Sequence, residues 1–254
     1  MENAHSETTA TGSRASYGID APPVVVTFVA IATVGIAGGM LLHSVPRARG
    51  LSSAMISVGI SFALTAAVMI WSSKVGKFRM RDRIFDSIPW RGDEQVLDVG
   101  CGRGMMLIAA AKRLDAGKAT GIDLWRSVDQ SGNSLEATRR NVELEGVAQR
   151  VDLKDGDARA LPFADGAFDL VMSSFVVHNM HDRGDRQKAL SEMLRVLKSG
   201  GWLAMMDIRN GPEYVTFLRE QGLSELRTWW RPLFVQRTDA IIARKPGGVA
   251  DRTV

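Results

Sequence analysis

Two long uncharged runs dominate the first third of the chain. Residues 24–42 are nineteen residues without a charge, and residues 51–71 are twenty-one. At 1.5 Å per residue, a helix of the first length covers about 28 Å, which is close to the thickness of a bilayer core. Pro46 and Gly50 interrupt the short connection between the two runs. The pattern predicts two transmembrane helices over residues 23–73, joined as a hairpin.

Two other interpretations of these runs fit less well. Buried core helices of a soluble protein are also apolar, but the length of the runs and their complete lack of charge favour membrane spans. A cleaved signal peptide is not expected, because no basic segment precedes the first run and a second run follows. Gly35 and Gly39 in the first run, and Gly59 and Ala63 in the second, allow close helix contact. They favour packing within the hairpin and leave open a homo-oligomer formed through the same helices.

Beyond residue 90 the pattern changes to short apolar runs that alternate with helix-like segments. The predicted strands cover residues 96–99, 118–124, 151–158, 168–174 and 202–208. Alternation of strands and helices is typical of an α/β fold with a parallel sheet. The predicted organisation is a disordered N-terminus (1–22), the two spans (23–73), a basic juxtamembrane linker helix (74–91), the α/β domain (92–246) and a flexible tail (247–254).

The net charge of +4 comes entirely from one short segment. Residues 74–83 contain five basic residues and one acidic residue, and the rest of the chain is balanced. A nucleic-acid-binding domain needs a basic face of its own, so we expect no nucleic-acid partner. Basic residues beside a span indicate the cytoplasmic side, and the hairpin connection carries only Arg47 and Arg49. We therefore expect a multi-pass membrane protein with its α/β domain in the cytoplasm and residues 74–83 against anionic lipids.

The candidate chemistry begins where the first predicted strand ends. Residues 98–104 read Asp-Val-Gly-Cys-Gly-Arg-Gly, and glycines allow a sharp turn and close approach of the backbone to a ligand. The dinucleotide fingerprint would require glycine at position 105, where this chain has Met. The carboxylate of Asp98 favours an amine-bearing ligand over a pyrophosphate. Asp123, at the end of the second predicted strand, is placed to bind ribose hydroxyls.

In order and spacing these pieces resemble the class I S-adenosylmethionine (SAM)-dependent methyltransferases of small-molecule type. The resemblance implies a Rossmann-like sheet of seven strands with helices on both faces, ending in an antiparallel pair over residues 225–230 and 235–244. It also implies SAM as the cofactor. The implied cofactor-binding residues are Asp98 at the methionine amine, Gly100, Cys101, Gly102 and Gly104 in the loop, Asp123 at the ribose, Leu124, Asp157 and Ala158 at adenine, and Ser173 or Ser174 after strand four.

The residues just after the fourth strand are the first candidates for catalysis, because ligands of such sheets bind at the carboxyl ends of the strands. His178 is the predicted general base, since histidine titrates near neutral pH, and Asn179 is predicted to orient an acceptor oxygen. His181 is a further candidate, and a packing role for His178 stays open. Cys101 is the single cysteine and the four histidines are scattered, so no metal site is predicted.

The cofactor motifs beside two membrane spans favour a methyltransferase that acts on a small lipophilic or amphipathic acceptor. Lipids, quinones, isoprenoids and thiols all fit this description, and membrane lipids are expected partners. Two alternatives remain: methylation of a membrane protein or a soluble metabolite, and a non-catalytic SAM-binding scaffold in the membrane.

Overall fold

The computed structural model describes residues 14–126, 132–233 and 236–247. Its first two helices, α1 (Pro22–Leu42) and α2 (Arg49–Trp71), form the predicted antiparallel hairpin. The small residues serve contact within that hairpin: a Cβ on Gly35 would lie 3.1 Å from the Cα of Gly59. Both helices are long and apolar enough to cross a membrane, and only 17% of each hydrophobic window is buried. A core helix of a soluble protein is mostly buried, so this exposure disfavours that interpretation.

The second helix does not end at the predicted membrane boundary. After Trp71 it passes through a single π turn (Ser72–Gly76) into α3 (Lys77–Phe85), so that one helical rod leads from the hairpin to the α/β domain. The predicted linker helix is therefore an extension of the second span. Its buried face, which includes Met80 and Ile84, packs into the core of the domain.

The segment before α1 differs from the prediction of a disordered N-terminus over residues 1–22. Residues 1–13 lie outside the described residues, but residues 14–20 pack on the α/β domain. The backbone of Ser16 exchanges two hydrogen bonds with the side chain of Asn141, and the hydroxyl of Tyr17 donates to Glu145 at 3.1 Å. We call residues 14–20 the N-terminal segment.

The domain is built on a twisted sheet of seven strands with the predicted topology. The strands are β1 (Gln95–Val99), β2 (Lys118–Asp123), β3 (Val151–Asp155), β4 (Phe168–Ser174), β5 (Leu197–Asp207), β6 (Ser224–Leu233) and β7 (Gln236–Arg244). Their spatial order is β3-β2-β1-β4-β5-β7-β6, with β7 antiparallel to both of its neighbours. Because the chain order reverses between β1 and β4, a crevice opens there at the carboxyl ends of the strands.

Helices cover both faces of the sheet, and each face has its own apolar core. The remaining helices are α4 (Met105–Ala111), α5 (Leu135–Leu144), α6 (Arg183–Val196) and α7 (Gly211–Glu220). One core contains residues of α3 and α4, and the other contains residues of α6 and α7. The fold is thus the predicted α/β Rossmann-like sheet. Ser134 caps α5, whose Ala137 amide donates to the Ser134 hydroxyl at 3.1 Å.

Candidate active site

The glycine-rich loop connects the end of β1 to α4 and forms the floor of the crevice. Gly100, Gly102 and Gly104 all have positive φ, at 73°, 50° and 86°, which glycine adopts without strain. A Cβ on Gly100 would lie 2.2 Å from a methyl carbon of Val176. The amides of Gly100 and Cys101 donate to the carbonyl of Ile122, which holds the loop against β2.

Asp123 lies at the end of β2 and faces this loop. One of its carboxylate oxygens accepts a hydrogen bond from the Gly102 amide at 2.8 Å. The other accepts from the Trp125 amide at 2.6 Å and from the Asn133 side chain at 3.3 Å. These contacts fix the carboxylate at the position that the sequence predicted for a ribose ligand. The following residue, Leu124, has 48% of its surface exposed and offers an apolar contact to a flat ring.

Asp98 occupies the end of β1 beneath the loop. It is 1% exposed, and neither carboxylate oxygen accepts a well-formed hydrogen bond from the described residues, although the Leu107 amide lies close enough to favour the charged form. Burial is the largest effect and raises the pKa of Asp98 to about 7; the backbone amide of Leu107 opposes the rise, and the nearby charge of Asp123 adds to it. A buried carboxylate without a partner is unfavourable, so this position favours a ligand that brings a positive charge or a hydrogen-bond donor.

A cavity of about 450 Å³ joins these residues into one site. Nine of the predicted cofactor residues line it: Asp98, Gly100, Cys101, Gly102, Asp123, Leu124, Asp157, Ala158 and Ser174. Gly104 and Ser173 do not. Gly104 is the residue preceding α4, and the hydroxyl of Ser173 donates to the carbonyl of Val99 at 3.0 Å, which ties β4 to β1. Of the two serines predicted after strand four, the cavity therefore includes Ser174.

At the predicted adenine end, Asp157 already has a strong partner. Arg159 binds its carboxylate at 2.6 Å and also binds Asp185 at 2.7 Å. The hydrogen bond from Arg159 lowers the pKa of Asp157 below its ordinary value. A role for Asp157 as the acceptor of the adenine amine stays a prediction. The sequence carried no signal for Arg159.

The structure separates the two predicted catalytic residues. Asn179 lines the cavity, together with His181, but His178 does not. The imidazole of His178 lies 2.5 Å from the carboxylate of Asp207, which also accepts the His178 amide at 3.0 Å. Asp207 is buried at the end of β5, so His178 ties the turn after β4 to β5. This contact fits the packing role that the sequence left open, and a catalytic role for His178 stays a prediction.

Two residues that sequence reasoning did not single out also line the cavity. Asp20 comes from the N-terminal segment and Lys77 from the first turn of α3. Both lie outside the α/β domain in sequence. Nothing in the sequence indicated a role for Asp20. For Lys77 the indication was indirect, because this residue belongs to the basic run after the second apolar helix.

The residues of this cavity fit SAM. The unpartnered carboxylate of Asp98 suits its amine, the glycine loop leaves room for the methionine portion, and Asp123 and Leu124 suit the nucleoside. Among the described residues, no group of three or more His, Cys, Asp or Glu side chains is arranged to hold a metal ion. Fold and cavity together define the class I SAM-dependent methyltransferases, and the α/β domain of this chain belongs to that class.

Comparison with known proteins agrees with this assignment. Residues 96–201 match the family model described as a methyltransferase domain. A ubiquinone/menaquinone biosynthesis C-methyltransferase, UbiE, from Roseobacter denitrificans is 34% identical over 54% of this chain and 52% of its own length. A demethylmenaquinone methyltransferase from Lactiplantibacillus plantarum is 37% identical over 50% of each chain. This chain thus spans about half the length of the curated relatives that it matches.

Solved structures show the same fold at lower identity. The [4+2]-cyclase SpnF has a TM-score of 0.58 and 21% identity, over 69% of this chain and 84% of its own. Geranyl diphosphate C-methyltransferase from Streptomyces coelicolor has a TM-score of 0.55 and 16% identity, over 66% and 79%. These similarities concern the fold alone, since one fold supports different reactions.

Proposed function

We propose that this protein is a membrane-anchored methyltransferase that transfers a methyl group from SAM to a small lipophilic acceptor at the cytoplasmic face of the membrane. The observation that carries the proposal is the composition of the cavity wall. The cavity that fits SAM is also lined by Asp20 and Lys77, which lie next to the two apolar helices. This proximity favours a substrate that is held in or close to the membrane.

The chain's own residues supply binding and orientation. When bound, SAM supplies a methyl group attached to a positively charged sulfur. The sulfur is the leaving group and keeps the electron pair of the broken carbon–sulfur bond. Asp98 binds the amine and Asp123 binds the ribose, which together fix the direction of the methyl group. Asn179 and His181 lie on the cavity wall and are available to hold a polar group of the acceptor. An acceptor atom that carries a proton loses it to water as the new bond forms.

The named relatives favour a quinone-like acceptor. Two of them are named for methylation in quinone biosynthesis, at 34% and 37% identity. Ring acceptors of that kind are lipophilic and carry polar oxygens, which matches a cavity with both apolar and polar walls. Because the matched region covers about half of those proteins, the acceptor of this chain remains part of the proposal.

The residues below the apolar hairpin support its placement in a membrane. Trp71 is 46% exposed at the end of α2, and the guanidinium of Arg79 lies 6.0 Å from the centre of its ring. Aromatic side chains are typical of both interfaces of a bilayer, and basic side chains are typical of its cytoplasmic side. In this orientation the α/β domain lies in the cytoplasm, where SAM is available.

The test is methyl transfer by the full chain reconstituted in lipid nanodiscs. Purified protein is incubated with SAM and a membrane extract containing reduced quinones, and products are identified by a mass gain of one methylene unit. We expect a lipophilic product that is lost in Asp123→Asn and retained in Asp152→Asn, an exposed carboxylate on β3. SAM binding without any lipophilic product would contradict the proposal. Methylated protein in the same extract would favour a protein acceptor instead.

A further inference from the structure

The wall of the SAM cavity contains a buried ammonium group. Lys77 is 1% exposed, although it belongs to the most basic segment of the chain. Its Nζ donates to a carboxylate oxygen of Asp20 at 2.8 Å and to the carbonyl of Tyr17 at 3.3 Å. An ammonium has three donors, so these contacts occupy two of them.

The π turn before α3 places Lys77 on the inner face of the rod. A π turn adds one residue to the helix, which rotates the side chains that follow by about 100° around the axis. The turn ends at Gly76, where a Cβ would lie 2.7 Å from a methyl carbon of Leu233. The close contact with β6 at Gly76 and the rotation together bring the next residue, Lys77, into the cavity wall.

Lys77 differs from the other cations along the described cavity lining. Arg126 is exposed, Arg103 is half-buried, and Arg159 is half-buried and held by two carboxylates. Lys77 is the buried cation among them. An ion pair removed from water gains little net stability, because desolvation offsets the attraction between its charges. The pair here combines a buried Lys77 with a half-buried Asp20, and its place beside a ligand cavity is therefore better explained by binding than by stability.

We propose that Lys77 binds an anionic oxygen inside the cavity and that Asp20 is the partner it holds until that anion arrives. Two ligands of the proposed reaction carry such an oxygen: the methionine carboxylate of SAM, and the ionised ring hydroxyl of an acceptor. The inference rests on the proposed function for its location in the SAM cavity. Asp20 and Lys77, which flank the apolar hairpin, complete a site whose other walls belong to the α/β domain.

The charges of the cavity agree with both sources. Asp98 pairs with the ammonium group of SAM. The methionine carboxylate of SAM, which is attached to the same carbon atom, requires a separate cation. An ionised hydroxyl on the acceptor requires a cation for the same reason, because a desolvated oxyanion without one is strongly disfavoured. Either oxygen forms a charge-assisted hydrogen bond with the ammonium.

The test uses binding, so it does not depend on turnover. Two pairs of probes differ in one anionic group: SAM against decarboxylated SAM, and 2-hydroxy-1,4-naphthoquinone against 1,4-naphthoquinone. Their dissociation constants are measured by calorimetry on the full chain in nanodiscs. The variants are Lys77→Met and Asp20→Asn, and Lys74→Met is the matched control, an exposed lysine three residues earlier on the same helix.

We expect Lys77→Met to weaken binding of the probe that carries the anionic group in one pair about tenfold, as for the loss of one charged hydrogen bond, and to leave binding of the probe that lacks this group unchanged. The pair that responds identifies the source of the anion. Asp20→Asn should have the opposite effect, because it removes the carboxylate that competes for Lys77. Lys74→Met should behave as wild type.

Equal changes for the two probes of each pair, with and without the anionic group, or no change, would overturn the inference. Weaker anion binding in both Lys77→Met and Asp20→Asn would also overturn it, since a purely structural ion pair is disturbed by either substitution. Thermal melting of each variant separates such a loss from unfolding. A wild-type protein that distinguishes the probes yet methylates no lipophilic acceptor would contradict the proposed acceptor and leave the role of Lys77 standing.

Discussion

The unpartnered carboxylate of Asp98 makes SAM binding depend on pH in a predictable direction. Its pKa of about 7 means that the free protein holds a neutral acid at pH 6 and a carboxylate at pH 8. Only the carboxylate pairs with the ammonium of SAM. A lower pH therefore weakens binding, because a proton must leave Asp98 before the ligand can be held.

The size of the effect follows from the fraction of ionised Asp98. With a pKa of about 7, the ionised fraction falls from roughly one half at pH 7 to roughly one tenth at pH 6, which weakens the apparent affinity about fivefold. At pH 5.5 the apparent affinity for SAM should be roughly fifteenfold weaker than at pH 7. Above about pH 8 the amine of SAM loses its own proton, so the affinity should pass through a maximum near pH 7–8.

Calorimetric titration with SAM from pH 5.5 to 8.5 measures this dependence directly. Below pH 7 the heat should vary with the ionisation enthalpy of the buffer, because binding releases a proton from Asp98. Asp98→Asn is the control: it should bind SAM weakly and lose the acidic dependence. An affinity that stays constant between pH 5.5 and 7, or one that rises as the pH falls, would refute the assignment of Asp98 to the amine.

Three further predictions follow from packing. Gly100→Ala should abolish SAM binding, because its φ of 73° and a methyl carbon of Val176 at 2.2 Å leave no room for a Cβ; binding equal to wild type by calorimetry would contradict this. His178→Gln should lower the free energy of unfolding by about 1–3 kcal/mol, because buried Asp207 loses a partner. The same substitution should change kcat/KM less than Asn179→Ala does. Denaturant unfolding and product formation measure the two effects, and the reverse ranking of kcat/KM would favour His178 as the base. Gly59→Leu should disrupt the hairpin, where even a Cβ would lie 2.8 Å from the backbone of Ile36; unchanged thermal stability in nanodiscs would argue against the close helix contact.

The cofactor side of the site was predictable from the sequence because its determinants are local. The strand, the glycine turn and the carboxylates of Asp98 and Asp123 follow one another at short spacing, and parallel strands bring their carboxyl ends to one edge. The same reasoning left Ser173 and Ser174 undecided. Adjacent residues of a strand point to opposite faces of the sheet. The structure is needed to show which of the two serines borders the cavity.

The remaining walls of the cavity were not predictable because they depend on contacts distant in sequence. Lys77 lies in the cavity wall because of a π turn, which the pattern of apolar residues does not predict. Asp20 belongs to a segment that was expected to be disordered. The contact that orients His178 could not be predicted for a similar reason. Its position after β4 is correct for a base, but the direction of its ring is set by Asp207, which is 29 residues away.

The continuous helix from the hairpin to the domain links the orientation of the two apolar helices to that of the domain. The rod comprises 40 residues, so it extends about 60 Å and carries Lys77 roughly 9 Å beyond Trp71. Membrane helices tilt to match their hydrophobic length to the lipid thickness. In the proposed membrane placement, such a tilt would be transmitted along the rod to the whole domain, because α3 packs into the core of the domain. Lipid thickness would then affect how the domain, and the cavity with it, sits against the membrane surface.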